Sequence, residues 1–382
     1  MTISHKRYLF TPGPTMIPPS VTAARAKEIP HHRTPEFRAL TQKVHEQLKN
    51  IFCTSHDVYS MTCSGSGAME ASVVSLLSPG DVVLCVNAGK FGHRWVDLCK
   101  RYGMEVIELV VPRGETLDPA ELQNALRQKP NIKAVFTQLT ETSTGVTFDL
   151  EAMGKMISGT DAIFVVDAIS GLAADRFLPD AWGVDVVVTG SQKALMLPPG
   201  LAFISLSQKA WKCVETSTCP KYYFDLKRYR KGHDQGDHPF TPAIGLYIQL
   251  EESLRLLQEE TIEHIWRRHE ILARATRAGM EALGLQLFAK RSSNALTAVY
   301  MPTHVDAKAM INIMKTELGV TVAGGQDELK DKIFRIAHLG YIDRFDILAA
   351  VGSVEIALSH LGEKGSLGKG ITAAQKILAE PF

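Results

Sequence analysis

From residue 58 onward the chain alternates short, almost unbroken apolar runs with stretches of helical period. The runs lie at residues 81–87 (DVVLCVN), 105–111 (EVIELVV), 133–139 (KAVFTQL), 162–167 (AIFVVD), 184–189 (VDVVVT) and 201–206 (LAFISL). Helical period fills most of the intervals, as at 119–127 and 150–157. A strand buried on both faces reads as a continuous apolar run, and helical crossovers are what join parallel strands. The pattern therefore predicts a mainly parallel sheet covered by helices on both sides.

The ends of the chain read differently. Pro12, Pro14, Pro18 and Pro19 crowd the first twenty residues. Proline fixes φ and removes a backbone donor, so residues 1–20 are expected to form an extended arm. After Thr241-Pro242, residues 243–282 carry long helical periodicity through Leu246, Leu250, Leu254, Leu257, Ile262, Ile265 and Trp266. The last hundred residues predict a smaller α+β domain. Its strands are expected at 296–301 and 333–338, and its helices near 307–318 and 344–361. The expected division is an arm (1–20), a large domain (21–265) and a small C-terminal domain (266–382).

Composition narrows the partners. Lys and Arg number 42 against 41 Asp and Glu, so no net field favours nucleic acid or an anionic membrane. Any bound anion must be held by local groups. No stretch reaches the roughly 18 apolar residues of a membrane helix, and the first residues lack a signal-peptide core. The six cysteines, Cys53, Cys63, Cys85, Cys99, Cys213 and Cys219, form no CxxC pair and have no zinc-ligand spacing. A soluble cytoplasmic protein without disulfides is expected.

Five segments could carry chemistry. In the first, Lys193 follows the run VDVVV within TGSQKAL. A lysine at the carboxyl end of a parallel strand points into the crevice where α/β sheets bind ligands, and a desolvated amine there can attack an aldehyde. It can equally be a surface lysine in a turn. In the second, Asp167 ends the run AIFVVD. It reads either as a cap or turn residue or as a carboxylate paired with a cationic ring nitrogen. It precedes Lys193 by 26 residues, one crossover unit, so both can share an edge of the sheet.

The third segment, Cys63-Ser64-Gly65-Ser66-Gly67, opens a helical stretch. Small residues and hydroxyls at a helix N-terminus make a phosphate cradle, although a plain glycine-rich loop has the same look. In the fourth, Thr140-Glu141-Thr142-Ser143-Thr144-Gly145 follows the run KAVFTQL. It reads as a site-lining turn or as ordinary hydroxyl capping. The fifth is Arg335, which interrupts the apolar run IFRIA. Buried, it needs an anion, and its planar fork suits a carboxylate; on a strand edge it would face solvent. The charged run at 227–238, with His233 and His238, lacks a standard metal pattern and is expected to be a solvated or interfacial loop. His5, His45 and His56 are expected to play no catalytic part.

The ordered set TPGP, HRTPEF, SGSGAMEA, STGV, VVDAIS, GSQKAL and FRIAHLG resembles the class V aminotransferases over nearly the whole length. These are fold-type I pyridoxal-phosphate (PLP) enzymes, and the likeness is greatest to the alanine–glyoxylate and serine–glyoxylate (serine–pyruvate) group. The resemblance implies a mainly parallel seven-stranded sheet in an α/β large domain, plus a smaller α+β C-terminal domain. It implies PLP held by Lys193 as a Schiff base, with Asp167 on the pyridine nitrogen. Ser64, Gly65, Ser66 and Gln192 would hold the phosphate, Phe91 would stack on the ring, and Ser143 would bond the phenolic oxygen. Thr241 would reach the phosphate of a neighbouring subunit, Gly13 would lie by the substrate, and Arg335 would grip the substrate carboxylate. The family departs from this chain at two places. It often has threonine or histidine where Ser66 stands, and some members have tryptophan where Phe91 stands.

The implied reaction is ping-pong transfer of an amino group from a small amino acid, alanine or serine, to a 2-oxo acid such as glyoxylate or pyruvate, in a homodimer. Four alternatives stay open at this level. Another donor, aspartate or aminoethylphosphonate, fits the same class. A lyase fits less well, because no cysteine follows Cys219. A non-catalytic partner subunit would have no use for Lys193, Asp167 and Arg335 together. A nicotinamide dehydrogenase lacks its glycine fingerprint.

Overall fold

The computed structural model describes residues 6–363 and 365–381. His5 lies outside them, as do the first five residues of the expected arm and Lys364 and Phe382 of the expected C-terminal domain. The larger sheet has seven strands. In spatial order they are Val58–Met61, Ala202–Leu206, Val186–Gly190, Ile163–Asp167, Ala134–Gln138, Val82–Asn87 and Glu105–Val110. All run parallel except Ala202–Leu206, which is antiparallel to both neighbours. The six apolar runs of the sequence are thus all strands of this sheet, trimmed by a residue or two at their ends. The four central strands from Ala134 to Leu206 are buried along their whole length, the physical reason for their unbroken apolar character. Two hydrophobic clusters cover the two faces, one containing Leu84, Val135, Phe164 and Phe203, the other Val83, Phe136, Val165 and Ile204.

A second sheet of four strands has the order Tyr8–Phe10, Val320–Gly324, Ile333–Ala337, Leu296–Tyr300. Its first strand comes from the proline-rich segment and pairs in parallel with Val320–Val322. That pairing has no local signal, because the partner lies three hundred residues away. The strand Val320–Gly324 was likewise not anticipated. The long periodic region forms two helices, Ile244–Glu260 and Ile262–Ala282. Residue 265, the expected domain boundary, falls in the first turn of the second.

The expected loop at 227–238 is largely a helix, Leu226–Asp234. Asp225 caps it by accepting from the Lys227 amide at 3.1 Å, and Leu226 and Tyr229 are buried. These buried residues, together with Arg230 stacked 4.7 Å over the Trp211 ring, anchor a segment whose charge reads as solvated. Its His233 ring stacks on His45 with centroids 5.1 Å apart.

The two sheets are tied through buried Asp175, which accepts from Ser293 Oγ (2.6 Å), Thr140 Oγ1 (2.8 Å) and the Asn294 amide (2.7 Å). This network fixes the rim of the larger sheet against the strands that carry Arg335.

Candidate active site

The carboxyl ends of the parallel strands form one rim, and register places the residues along it. Asp167 is paired with Gln138 on one side and Val188 on the other. Its carboxylate is buried, and Oδ1 accepts from the Ile169 amide at 2.8 Å. Burial raises its pKa to about 7; the Ile169 amide and the Arg94 guanidinium pull the other way.

Lys193 follows the strand Val186–Gly190 and is also buried. Its Nζ donates to the carbonyl oxygen of Pro12 and, at 3.2 Å, to Ser170 Oγ. Burial lowers its pKa to about 8; Asp167 opposes the fall, while Arg335 and Arg94 add to it. An amine so placed is a nucleophile near neutral pH. Gly13 closes over it. A Cβ at Gly13, whose φ is +138°, would stand 2.6 Å from both Lys193 Cε and Nζ. Thr15 Oγ1 donates to the Lys193 carbonyl at 3.1 Å, which secures the same segment.

The glycine-rich stretch is a helix N-terminus, as its composition suggested. Ser64 takes the cap position before the helix Gly65–Leu76, yet its side chain makes no capping bond, which leaves the hydroxyl free for a ligand. Gly65 has no room for a side chain, since a Cβ there would lie 2.5 Å from Ile169 Cδ1. Ser66 Oγ accepts from Arg94 Nη1 at 2.9 Å, and the Arg94 guanidinium lies 4.8 Å from the centre of the Phe91 ring. The buried Gln192 Oε1 has no hydrogen-bond partner. It lies 3.1 Å from where a Cβ on Gly190 would stand, and that same point is 3.5 Å from the Gly65 amide nitrogen. The uncapped Ser64 hydroxyl and the backbone N–H groups of this helix N-terminus fit a phosphate-binding cradle, with the Gln192 side-chain amide beside them.

Arg335, third in the strand Ile333–Ala337, is 5% exposed, which settles its orientation inward rather than toward solvent. Nε and Nη2 donate to the Gly324 carbonyl at 3.1 and 2.7 Å, and Nη1 donates to the Thr142 carbonyl at 2.8 Å. Burial lowers its pKa to about 10, opposed by Glu141.

The hydroxyl-rich turn after Gln138 divides its labour in a way the sequence did not reveal. Ser143 Oγ is turned to Glu141 Oε1 at 2.5 Å and accepts from the Lys90 amide at 3.1 Å. The neighbouring Thr142 Oγ1 instead meets Ser170 Oγ at 2.6 Å, on the side of Lys193. Buried Glu141 caps the start of the helix Lys90–Arg101, which carries Phe91, accepting from the Gly92 amide at 2.9 Å and the Phe91 amide at 3.2 Å. Thr241 is solvent-exposed and makes no hydrogen bond among the described residues.

Sequence reasoning thus named Glu141 and Thr142 only as members of a possible site-lining turn, with no role of their own, and passed over Ser170, Arg94 and the Pro12 carbonyl. Glu141 carried a signal, a carboxylate among hydroxyls at a strand exit. The others are unremarkable until the fold brings them together.

Residues 7–336 match the model of the family described as aminotransferase class-V. The chain belongs to the class-V aminotransferases. The cofactor of this family is pyridoxal phosphate. Among relatives, the chain is 42% identical over 381 residues to a protein named soluble hydrogenase, small subunit, of Synechococcus sp. (strain PCC 6716), covering 98% of this chain and 99% of that one. It is 35% identical over 388 residues to the serine–glyoxylate aminotransferase of Methylorubrum extorquens, covering 98% and 96%. The crystal structure of a ureidoglycine–glyoxylate aminotransferase from Bacillus subtilis superposes with a TM-score of 0.93 at 27% identity, covering 99% of this chain and all of that one. As a class-V aminotransferase the chain has the fold-type I architecture, with a mostly parallel sheet. Among the described residues no helix is long and apolar enough to cross a membrane.

Proposed function

We propose that this class-V aminotransferase moves an amino group from a small amino acid, alanine or serine, to a 2-oxo acid such as glyoxylate or pyruvate, by a ping-pong mechanism. The observation that carries this reading is the meeting of three buried charged groups: Lys193 and Asp167 on the rim of the larger sheet, and Arg335 on the smaller sheet, bonded to the rim through the Thr142 carbonyl. When bound, pyridoxal phosphate supplies an aldehyde and an electron-accepting ring.

Around it the chain's residues divide the work. Ser64, the Gly65 and Ser66 amides and Gln192 hold the phosphate, and Arg94 brings a guanidinium to Ser66. Phe91 would stack on the ring with less area than tryptophan would offer. Ser143, braced by Glu141, would bond the phenolic oxygen. Asp167 would hold a proton on the ring nitrogen. Arg335 orients the amino acid by its carboxylate, beside Gly13. Lys193, freed by the substrate amine, would act as the general base at the substrate Cα and, once protonated, as the general acid that gives this proton up again. Water access is limited by the N-terminal segment that covers Lys193.

Thr241, exposed on this chain, fits contact with the phosphate of a second copy, so the working unit in this reading is a homodimer. The expected division into an arm, a large domain and a C-terminal domain is kept as part of the proposal. So is a cytoplasmic setting, which suits six free cysteines.

Relatives named as hydrogenase subunits favour a second reading, a partner subunit without chemistry of its own. One experiment separates the two. The absorption spectrum of the purified protein is recorded with PLP, then with alanine, serine or aspartate and no oxo acid. A visible band that alanine or serine bleaches is the expected result. A band bleached by aspartate alone would reassign the donor. The absence of any band would overturn the enzyme reading.

A further inference from the structure

Lys193 Nζ has two polar partners, the Pro12 carbonyl and Ser170 Oγ at 3.2 Å. Neither is charged, and among the described residues no carboxylate hydrogen-bonds this amine. Ser170 Oγ makes no bond to backbone, so it is not serving as a turn cap; the Asp167 carboxylate already satisfies the Ile169 amide in that turn. The second partner of Ser170 is Thr142 Oγ1, at 2.6 Å. The three groups form a buried line from the amine to the residue whose carbonyl receives Arg335 Nη1.

We infer that Ser170, backed by Thr142, is the positioning residue that holds the Lys193 amine once the substrate has displaced it. The inference rests on the transaminase reading and deepens it. A displaced lysine must keep its place over the substrate, accept a proton and give it up again. A carboxylate partner would fix that proton in place, whereas a hydroxyl holds the geometry and leaves the proton free to move. Lys193 N–H donates to Ser170 Oγ, and the Ser170 and Thr142 hydroxyls share one further hydrogen bond in which either can donate. As an acceptor from Lys193 Nζ at 3.2 Å, Ser170 Oγ has its stronger bond with the ammonium form.

The test uses Ser170→Ala, Ser170→Thr and Thr142→Val. In the cofactor-free protein, trace acetylation of Lys193 is followed against pH by mass spectrometry. Ser170→Ala is expected to lower the apparent pKa of Lys193 by about one unit, the scale of one hydrogen bond to a charged group. Ser170→Thr is expected to restore it. In the PLP-loaded protein, Ser170→Ala is expected to cut kcat about tenfold with the amino-acid KM held within about twofold. Should Ser170→Ala not fold, Thr142→Val reads the same line, with a smaller shift in the same direction.

A wild-type chain that gains no visible band with PLP overturns the transaminase reading, and this inference with it. A chain that gains the band, but whose Lys193 titrates identically with and without the hydroxyls, overturns the role of Ser170 alone.

Discussion

Arg335 Nη1 donates to the Thr142 carbonyl at 2.8 Å across 193 positions of sequence, joining the smaller sheet to the rim of the larger one. One N–H each of Nε and Nη2 goes to a single carbonyl, that of Gly324, which leaves two of the five N–H groups without a hydrogen bond among the described residues. The guanidinium is thus oriented by backbone acceptors and carries no carboxylate ion pair among the described residues. It is a held cation waiting for an anion.

Replacing Arg335 by Lys keeps the charge and loses the planar fork. The expected result is a rise in the amino-acid KM of about 30- to 100-fold, the loss of a bidentate charged contact. Affinity for PLP should change little. Steady-state kinetics and a cofactor titration of the same variant check the split. Equal losses in both would place Arg335 in the fold rather than in substrate binding.

Asp167→Asn keeps an oxygen for the Ile169 amide and removes the proton-holding group. Turnover is expected to fall on the order of hundredfold with the fold intact. Stability should respond to pH in a defined way. With its pKa raised to about 7, Asp167 keeps a proton in the folded chain between about pH 4 and 7, where the unfolded chain has lost it. Its contribution therefore falls as pH rises through that window. Lys193, lowered to about 8 from 10.5, acts in the opposite sense. Between those values the unfolded chain binds the extra proton, so stability rises with pH there. Melting curves of the cofactor-free protein, with Asp167→Asn and Lys193→Met, should lose the first and second trends respectively.

Gly13→Ala tests the cover over the lysine. The added Cβ would meet Lys193 Cε and Nζ at 2.6 Å, on a backbone with φ of +138° that side chains rarely adopt. Displacing the amine by an ångström costs on the order of hundredfold in rate. The visible band formed with PLP should weaken in parallel. A fully active Gly13→Ala variant would show that the N-terminal segment does not pack on Lys193 in solution.

Much of this site is legible in the amino-acid sequence. Lys193 and Asp167 stand out because apolar strands end on them, and Arg335 because it breaks an apolar strand. The Ser64–Gly67 stretch stands out because glycines and hydroxyls open a helix. What stayed hidden has a common cause. Ser170 and Thr142 are ordinary turn residues until two strand exits bring their hydroxyls within 2.6 Å. Ser143 is the hydroxyl that the motif points to, yet it donates to Glu141 Oε1. The helix Leu226–Asp234 was masked by its charge, and the strand Tyr8–Phe10 by its prolines and its distant partner.

By itself, then, the sequence determined the strand cores, the mainly parallel sheet they build and the chemical types at the sheet rim. Periodicity and burial are local properties that each segment carries with it. The tertiary structure decided which hydroxyl faces the lysine, where Arg335 points and what covers the amine. Those outcomes depend on contacts between residues far apart in the chain, and no local pattern encodes which of several equivalent oxygens the fold will bring within hydrogen-bonding distance.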